Sequence, residues 1–178
     1  LVVEDERGNG NGRLLPAGPL RESANREHDA TITITDEPTS NQILSNPKPF
    51  QLKPVIDSPY PLNRPHEAIS FAQMLTKLVG LKIGALAAIG NPEKFFKALT
   101  KLGVHLEQSL GLADHAPIHQ SDLEKLKTDV ILITEKDAVK CLGIEDDRIW
   151  VVPMALHLPV EFTQWVQEVI TRPNPYLK

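Results

Sequence analysis

The chain has 178 residues, of which 41% are hydrophobic and 24% charged, a composition typical of a globular protein with a packed core. Its formal net charge is −4 and it has no basic block, so we expect no nucleic-acid partner. Cys141 is the only cysteine, which excludes an intrachain disulfide. No apolar stretch approaches the ~20 residues that a membrane helix needs.

The first 35 residues predict two short strands around a loop rich in glycine and proline. Residues 1–5 and 31–35 are β-branched, as strands often are. Between them, residues 7–22 have the sequence Arg-Gly-Asn-Gly-Asn-Gly-Arg-Leu-Leu-Pro-Ala-Gly-Pro-Leu-Arg-Glu. Glycine accepts positive φ and proline fixes φ, so this run predicts a sharply bent loop of defined shape. It ends in an adjacent cation and anion, Arg21 and Glu22.

A proline-rich stretch follows, and its only predicted strand is the short pair Val55–Ile56. Its prolines interrupt every possible helix; they are Pro38, Pro47, Pro49, Pro54, Pro59, Pro61 and Pro65. We interpret residues 36–65 as a linker between two lobes, with 1–35 the end of the first lobe and 66–178 the second. Because few residues precede the glycine-rich loop and residue 1 is leucine, we expect the chain to continue a larger protein.

Strands and helices alternate in the second lobe, which predicts an α/β fold with a parallel sheet and flanking helices. Ser121 with Glu124 matches a capping box at the start of one short helix. The predicted helices are 66–79, 92–102, one beginning near Ser121, 134–141 and 160–170. The predicted strands are 83–89, 104–106, 129–133 and 149–152.

Two polar segments of this lobe are candidates for chemistry. Asp114-His115 lies in a loop between a strand and a helix, where functional histidines are often found in α/β sheets. Turn hydrogen bonding is the alternative explanation for this pair. Thr134-Glu135-Lys136-Asp137 lies where a strand ends and a helix begins, a position that attracts anions. A well-capped helix would explain this segment except for Lys136, and it would also leave Lys140 unexplained.

The sequence shows neither a P-loop, the motif that binds nucleotide phosphates, nor a spacing of histidines typical of a metal site. A P-loop needs Gly-Lys-Ser/Thr at a helix start, whereas the glycines of residues 8–12 are followed by Arg13-Leu14-Leu15-Pro16. The remaining histidines lack metal-ligand spacing; they are His28, His66, His105, His119 and His157. We therefore assign no metal site in this chain.

Several of these segments together resemble tetraacyldisaccharide 4'-kinase, the lipid A 4'-kinase family of Gram-negative bacteria. The resemblance rests on residues 7–22, on Ala-Ile-Gly-Asn-Pro-Glu-Lys-Phe-Phe at 88–96, on Asp114-His115, and on Thr-Glu-Lys-Asp-Ala-Val-Lys-Cys at 134–141, in that order. It spans essentially the whole chain. It implies a P-loop NTPase-like sheet, of which this chain holds the C-terminal lobe and the end of the nucleotide-binding lobe.

The resemblance also implies an activity. The family moves the γ-phosphate of ATP to the 4'-hydroxyl of a tetraacylated glucosamine disaccharide 1-phosphate, a lipid A precursor, and requires Mg²⁺. It works at the membrane surface on the cytoplasmic face of the inner membrane. The family's P-loop and Mg²⁺-binding carboxylates belong to an N-terminal half that this sequence does not contain. We therefore expect the isolated chain to be inactive.

Site residues follow from the resemblance position by position. It implies that His115, with Asp114, works with a carboxylate of the other half as the base acting on the 4'-hydroxyl. It also implies active-site roles for Glu22 in catalysis and for Arg21 in substrate binding. By the same resemblance, the glycine-rich loop contributes Asn11 and Arg13 to substrate binding. The anion affinity of a helix start, in turn, predicts that Lys136 and Thr134 contact the nucleotide.

This sequence departs from the family's pattern at two places. Asn9 stands where an aromatic residue is usual, and Ala116-Pro117 follows His115 where another polar residue or histidine is common. Two alternatives to the kinase stay open. One is a non-catalytic lipid- or partner-binding module derived from it, and the other is a generic α/β enzyme.

Overall fold

The computed structural model describes residues 2–4, 10–23, 28–34 and 49–172. Its strands are β1 Val2–Glu4, β2 Thr31–Ile34, β3 Pro49–Ile56, β4 Tyr60–Pro61, β5 Ile83–Ala87, β6 Gln108–Gly111, β7 Val130–Thr134, β8 Ile149–Val152 and β9 Met154–His157. Its α-helices are α1 Phe71–Leu78, α2 Pro92–Lys101, α3 Gln120–Leu123, α4 Glu135–Ala138 and α5 Val160–Thr171. Short 3-10 helices span Pro65–Glu67 and Val139–Cys141. None of the helices in these ranges is long and apolar enough to cross a membrane.

The chain divides into two units, and the first is assembled from both ends of the sequence. It comprises residues 1–55 and 156–178. Its sheet has the order β1-β2-β3-β9, with β1–β2 and β2–β3 parallel. Helix α5 packs through aromatic rings, since Phe50 lies 5.2 Å from Phe162 and 5.4 Å from Trp165 between centroids. The predicted lobes were contiguous in sequence, whereas strand β9 joins the sheet of β3 and α5 groups with residues 1–55.

The proline-rich stretch contains a longer strand than the sequence predicted. Residues 36–48 of the predicted linker lie outside the described residues, but β3 runs through both Pro49 and Pro54. Pro49 is the first residue of the strand, and the register with β2 ends at Leu52. Proline lacks an N–H donor and is therefore tolerated only at certain positions of a strand. Pro49 lies at the start of β3, and Pro54 lies beyond the residues that pair with β2.

The second unit, residues 56–155, is built on a five-stranded sheet of order β4-β8-β7-β5-β6. The pairs β8–β7, β7–β5 and β5–β6 are parallel, and β4 is antiparallel to β8. Every residue of β5 and β7 is buried, which explains why both are continuous apolar runs in the sequence. The predicted α/β class, with parallel strands and flanking helices, is confirmed.

Helices cover both faces of this sheet. On one face α1 and α2 contribute Met74, Phe95 and Leu99 to a core with Ala85 and Leu132. On the other face, buried side chains of β5 and β7 pack with residues of α3 and of the segment after α4, namely Leu86, Ile131, Ile133, Leu123 and Cys141. The chain thus leaves β5 towards one face and leaves β7 towards the other, so the carboxyl ends of β5 and β7 form a topological switch point. Ligand sites of open α/β sheets form at such points.

Several local predictions in this unit were wrong in position. The strand predicted at 104–106 is β6, at 108–111, because Val104 closes the end of α2 through its N–H to the Leu99 carbonyl at 3.0 Å. Ser121 is not the cap of α3: the cap is His119, two residues earlier, whose N–H donates to the Asp122 carboxylate at 3.1 Å, and the helix begins at Gln120.

Two further elements differ from the prediction. The helix expected from residue 66 is a 3-10 turn followed by α1, which begins after Ser70. The Ser70 N–H donates to Gln73 Oε1 at 2.9 Å and the Gln73 N–H donates to Ser70 Oγ at 3.3 Å, a capping box that fixes this start. Strand β9 was not predicted at all.

Candidate functional site

Three segments meet at the carboxyl edge of the second unit's sheet. They are the loop after β5 at Ala88, the loop after β6 at Asp114 and His115, and the start of α4 after β7 at Lys136. Because parallel strands end at the same edge, residues distant in sequence come together there. We call Asp114, His115 and Lys136 the edge cluster.

The edge cluster consists of one carboxylate between two basic groups. Asp114 Oδ2 lies 3.6 Å from His115 Nε2, and Asp114 Oδ1 lies 3.8 Å from Lys136 Nζ. These are ion-pair distances rather than hydrogen bonds. About three quarters of the His115 side chain is exposed (74%), and the other two side chains are about half exposed. The imidazole is therefore accessible to a ligand and has a carboxylate within ion-pair distance.

The backbone of His115 is strained. Its φ is +60°, in the left-handed region that non-glycine residues seldom adopt. The His115 N–H donates to the Ala88 carbonyl at 3.3 Å, and the Ala116 N–H closes a turn to the Ala113 carbonyl at 3.0 Å. Strained residues persist where the surroundings hold them, and they cluster at functional sites.

The segment after β7 is held by a buried polar network, which we call the Ala88 network: Thr134, Asp137, Lys140 and the backbone of Ala88. Thr134 Oγ1 accepts the Asp137 N–H at 3.1 Å and donates to Asp137 Oδ2 at 2.7 Å. Lys140 Nζ donates to Asp137 Oδ1 at 2.8 Å. The side chain of Asp137 is fully buried and only 15% of the Lys140 side chain is exposed. Thr134 therefore acts as the cap of α4, because its hydroxyl oxygen accepts the Asp137 N–H and its hydroxyl proton is donated to the Asp137 carboxylate.

Sequence reasoning did not find the role of Lys140. The available signal was the spacing Asp137-x-x-Lys140, which places both side chains on one side of a helical turn. That spacing alone does not distinguish a buried pair from a surface pair.

The glycine-rich loop of the first unit is closed by hydrogen bonds from its own backbone and from Asn11. Asn11 Nδ2 donates to the Ala17 carbonyl at 2.9 Å, and Asn11 Oδ1 accepts the Arg13 N–H at 3.1 Å. The Leu15 N–H donates to the Leu20 carbonyl at 2.8 Å. Gly18 allows this closure, since a Cβ there would lie 2.2 Å from Asn11 Oδ1. Asn11 therefore holds the loop from within; Asn9 lies outside the described residues.

The charged residues of this loop are on the surface. Arg13, Arg21 and Glu22 are all exposed, and so is Asn11. The structure thus describes the predicted site residues in two groups, with Asn11, Arg13, Arg21 and Glu22 in the first unit and the edge cluster with Thr134 in the second.

The described residues do not offer a fit for Mg²⁺. Within the ranges that the structure describes, no three His, Cys, Asp or Glu side chains are grouped so as to hold a metal ion. Mg²⁺ prefers several oxygen ligands, whereas the neighbours of Asp114 in the edge cluster are an imidazole and an ammonium.

An open groove of about 430 Å³ between α2 and β6 is lined by Lys97, Lys101 and Ser109 among others, and no edge-cluster residue lines it.

The similarity of this chain to known proteins shows the family to which it belongs. The family model described as "Tetraacyldisaccharide-1-P 4'-kinase" matches residues 1–171. The chain belongs to the tetraacyldisaccharide 4'-kinase family. Two relatives are named tetraacyldisaccharide 4'-kinase. The protein from Polynucleobacter asymbioticus is 44% identical, and the match covers 99% of this chain and 50% of that protein. The protein from Bordetella parapertussis is 36% identical, and the match covers 98% of this chain and 51% of that protein. The chain spans about half the length of the curated relatives it matches, and it matches their C-terminal half.

A solved structure supports the fold. The crystal structure of LpxK from Aquifex aeolicus in complex with ATP matches with a TM-score of 0.63 and 23% identity, over 94% of this chain and 50% of that chain. The predicted membership of the tetraacyldisaccharide 4'-kinase family and the predicted fold class are both confirmed.

Proposed function

We propose that this chain is the C-terminal part of a kinase that transfers the γ-phosphate of ATP to the 4'-hydroxyl of a tetraacyldisaccharide 1-phosphate in lipid A biosynthesis. Family membership supports the class of reaction. The single observation that carries the proposal is the edge cluster, in which an accessible imidazole, a carboxylate and an ammonium lie together at the topological switch point of the sheet.

The chemistry we assign to the edge cluster is proton transfer from the acceptor sugar. Phosphoryl transfer breaks the bond between the γ-phosphorus and the ADP oxygen and forms a bond from the 4'-oxygen to phosphorus, so the 4'-hydroxyl proton must leave. His115 Nε2 accepts that proton, and the adjacent Asp114 carboxylate stabilises the imidazolium that results. A carboxylate outside this chain completes the base.

The remaining predicted residues bind charge. Lys136 is half exposed beside Asp114, so its ammonium is accessible to a phosphate of the nucleotide. Arg21 and Glu22 follow the closed glycine-rich loop. The guanidinium of Arg21 can bind a substrate phosphate through two parallel hydrogen bonds. Glu22 takes a catalytic role by orienting this group. Asn11 and Arg13 contribute by keeping the loop in a shape that fits the substrate.

We assign the phosphate cradle and the Mg²⁺ ligands to a part of the enzyme outside this sequence. The 178 residues contain no Gly-Lys-Ser/Thr, and the described residues give no ligand group for the metal ion. The chain alone is therefore inactive in this proposal. Because the acceptor is a lipid, the enzyme works at the membrane surface on the cytoplasmic face of the inner membrane.

A chimeric enzyme tests the proposal. This chain replaces the matched half of the Polynucleobacter asymbioticus kinase, and transfer of labelled γ-phosphate to the disaccharide is measured with the chimera, its His115→Ala variant and the isolated chain. We expect turnover by the chimera, a loss of about 100-fold or more in kcat for the variant, and none from the isolated chain. Full turnover by His115→Ala would refute the role of the edge cluster.

A non-catalytic lipid- or partner-binding module derived from the kinase is the second candidate. In that case the isolated chain would bind vesicles containing the disaccharide 1-phosphate, and the chimera would be inactive although folded. Turnover by the chimera would exclude this candidate.

A further inference from the structure

The side chains of the Ala88 network bind both backbone polar groups of Ala88, its N–H and its carbonyl. The Ala88 N–H donates to Asp137 Oδ2 at 3.2 Å, and the Ala88 carbonyl accepts from Lys140 Nζ at 2.6 Å. Ala88 directly follows β5 and is itself fully buried. The pair of charges on the segment after β7 thus fixes the backbone where the neighbouring strand ends.

The same carbonyl also holds the loop that carries the edge cluster. The Ala88 oxygen accepts the His115 N–H at 3.3 Å as well as the Lys140 ammonium. The strained backbone of His115, with φ +60°, is therefore linked to Lys140 through one shared acceptor atom. Ala88 therefore contacts both the segment after β7 and the loop after β6.

Helix capping does not require Lys140. Thr134 Oγ1 already accepts the Asp137 N–H at the start of α4. Burying an ammonium and a carboxylate has a large desolvation cost, and apolar residues of similar volume often stabilise a protein equally well. A buried pair that also binds a backbone carbonyl near an exposed histidine fixes geometry in addition to packing.

We propose that Asp137 and Lys140 are positioning residues for His115: they hold the Ala88 peptide, and through it they set the orientation of the loop bearing Asp114 and His115. The consequence for turnover rests on the proposed function of His115, whereas the structural link does not. Neither residue contacts the substrate in this proposal.

The chain supplies its own matched control. Lys125 Nζ and Asp122 Oδ1 form a pair with the same spacing at 2.7 Å, but 60% of the Lys125 side chain is exposed. Lys140→Met and Lys125→Met each remove an ammonium and keep a side chain of similar length. Both substitutions are compared in this chain by NMR of the backbone amides.

We expect Lys140→Met to shift the amide resonances of Ala88 and His115 and to speed exchange of the His115 amide by about tenfold, whereas Lys125→Met leaves both unchanged. If Lys140→Met does not fold, Lys140→Arg keeps the charge but changes where its donors lie, and we expect the same His115 shift from it. Unchanged His115 signals in the folded variant would overturn the proposal.

Kinetics in the chimera separate positioning from folding. A misplaced base lowers kcat while leaving ground-state binding intact. We expect Lys140→Met to reduce kcat by about tenfold to 100-fold with unchanged KM for ATP and for the disaccharide. A change in KM alone would overturn the positioning role. Shifted His115 signals combined with full activity of His115→Ala would leave the structural link standing and refute the catalytic assignment instead.

Discussion

Two Asp-x-x-Lys pairs of the second unit have the same spacing and nearly the same geometry but different surroundings. Asp122 and Lys125 are 2.7 Å apart, and Asp137 and Lys140 are 2.8 Å apart. Both aspartate side chains are buried, 11% and 0% exposed, but 60% of the first lysine side chain is exposed and only 15% of the second. The first carboxylate accepts the N–H of His119 at the start of α3, a local contact three residues away. The second pair binds the backbone of Ala88, 49 and 52 residues away.

The difference shows that the spacing of a charged pair does not determine its role. An exposed pair gains little, because water screens it and the long lysine loses conformational freedom. A buried pair cannot lose one member cheaply, because the remaining charge has no solvent around it.

Removing the buried ammonium should be far more costly than removing the exposed one. We expect Lys140→Met to lower the free energy of unfolding by about 3 kcal/mol because Asp137 is left unpaired in the core. We expect Lys125→Met to lower it by less than about 1 kcal/mol. Urea denaturation of both variants measures the two values, and equal losses would break the contrast.

The sole cysteine reports on the same region. Burial is the main cause that raises the pKa of the Cys141 thiol to about 11, and the Asp137 carboxylate adds to it. At pH 8 the thiolate, which is the reactive form, should therefore be about 100-fold scarcer than in the unfolded chain. Timed alkylation should be slow in the native protein. The Lys140 ammonium acts in the opposite direction and lowers this pKa, so labelling of the folded Lys140→Met variant should be slower still, whereas Lys125→Met should leave the rate unchanged. Fast labelling of the native protein would contradict the burial of this segment.

The strain at His115 has a measurable cost. We expect His115→Gly to be about 1 kcal/mol more stable than His115→Ala, because glycine adopts φ +60° without a clash of Cβ. Both variants lose the imidazole, so a comparison of their unfolding free energies isolates the backbone. Equal stability would mean that the Ala88 network does not hold a strained residue.

The contribution of the Asp122–Lys125 pair to stability should be lost mainly in acid. Hydrogen bonding from Lys125, with the His119 N–H, lowers the pKa of Asp122 below its usual value of 3.8. A lowered folded pKa stabilises the protein above about pH 4, and this contribution is lost as the pH falls through the folded value. We expect Asp122→Asn to lose a little stability at pH 7 and to reduce the acid dependence of unfolding. Some dependence should persist, because Arg148 lowers the pKa of Asp146 in the same way.

The sequence predicted those parts of the fold whose signal is local. Strands β5 and β7 are continuous apolar runs because both faces are covered, and Phe95, Phe96 and Leu99 mark the buried face of α2. Strand β9 was missed because most of its residues are exposed and it lies between Pro153 and Pro159. The grouping of α5 with the first unit depends on pairing between distant segments, which a local pattern does not encode.

The candidate site was predictable to a similar extent. Asp114, His115 and Lys136 were singled out because each follows a predicted strand, and the structure brings the three side chains together, whereas their roles remain predictions. Lys140 was not assigned a role because its partner is a backbone carbonyl far away in sequence. The strain at His115 likewise leaves no mark in the residue types around it.

The role of the edge cluster is tested by the transfer of labelled γ-phosphate from ATP to the disaccharide 1-phosphate by the chimera that contains this chain. The wild-type chimera, His115→Ala and Lys125→Met are compared at saturating substrate. We predict turnover for the wild type and for Lys125→Met, and a fall of about 100-fold or more for His115→Ala. Equal turnover by all three would contradict this role, since the edge cluster would then have no part in the reaction.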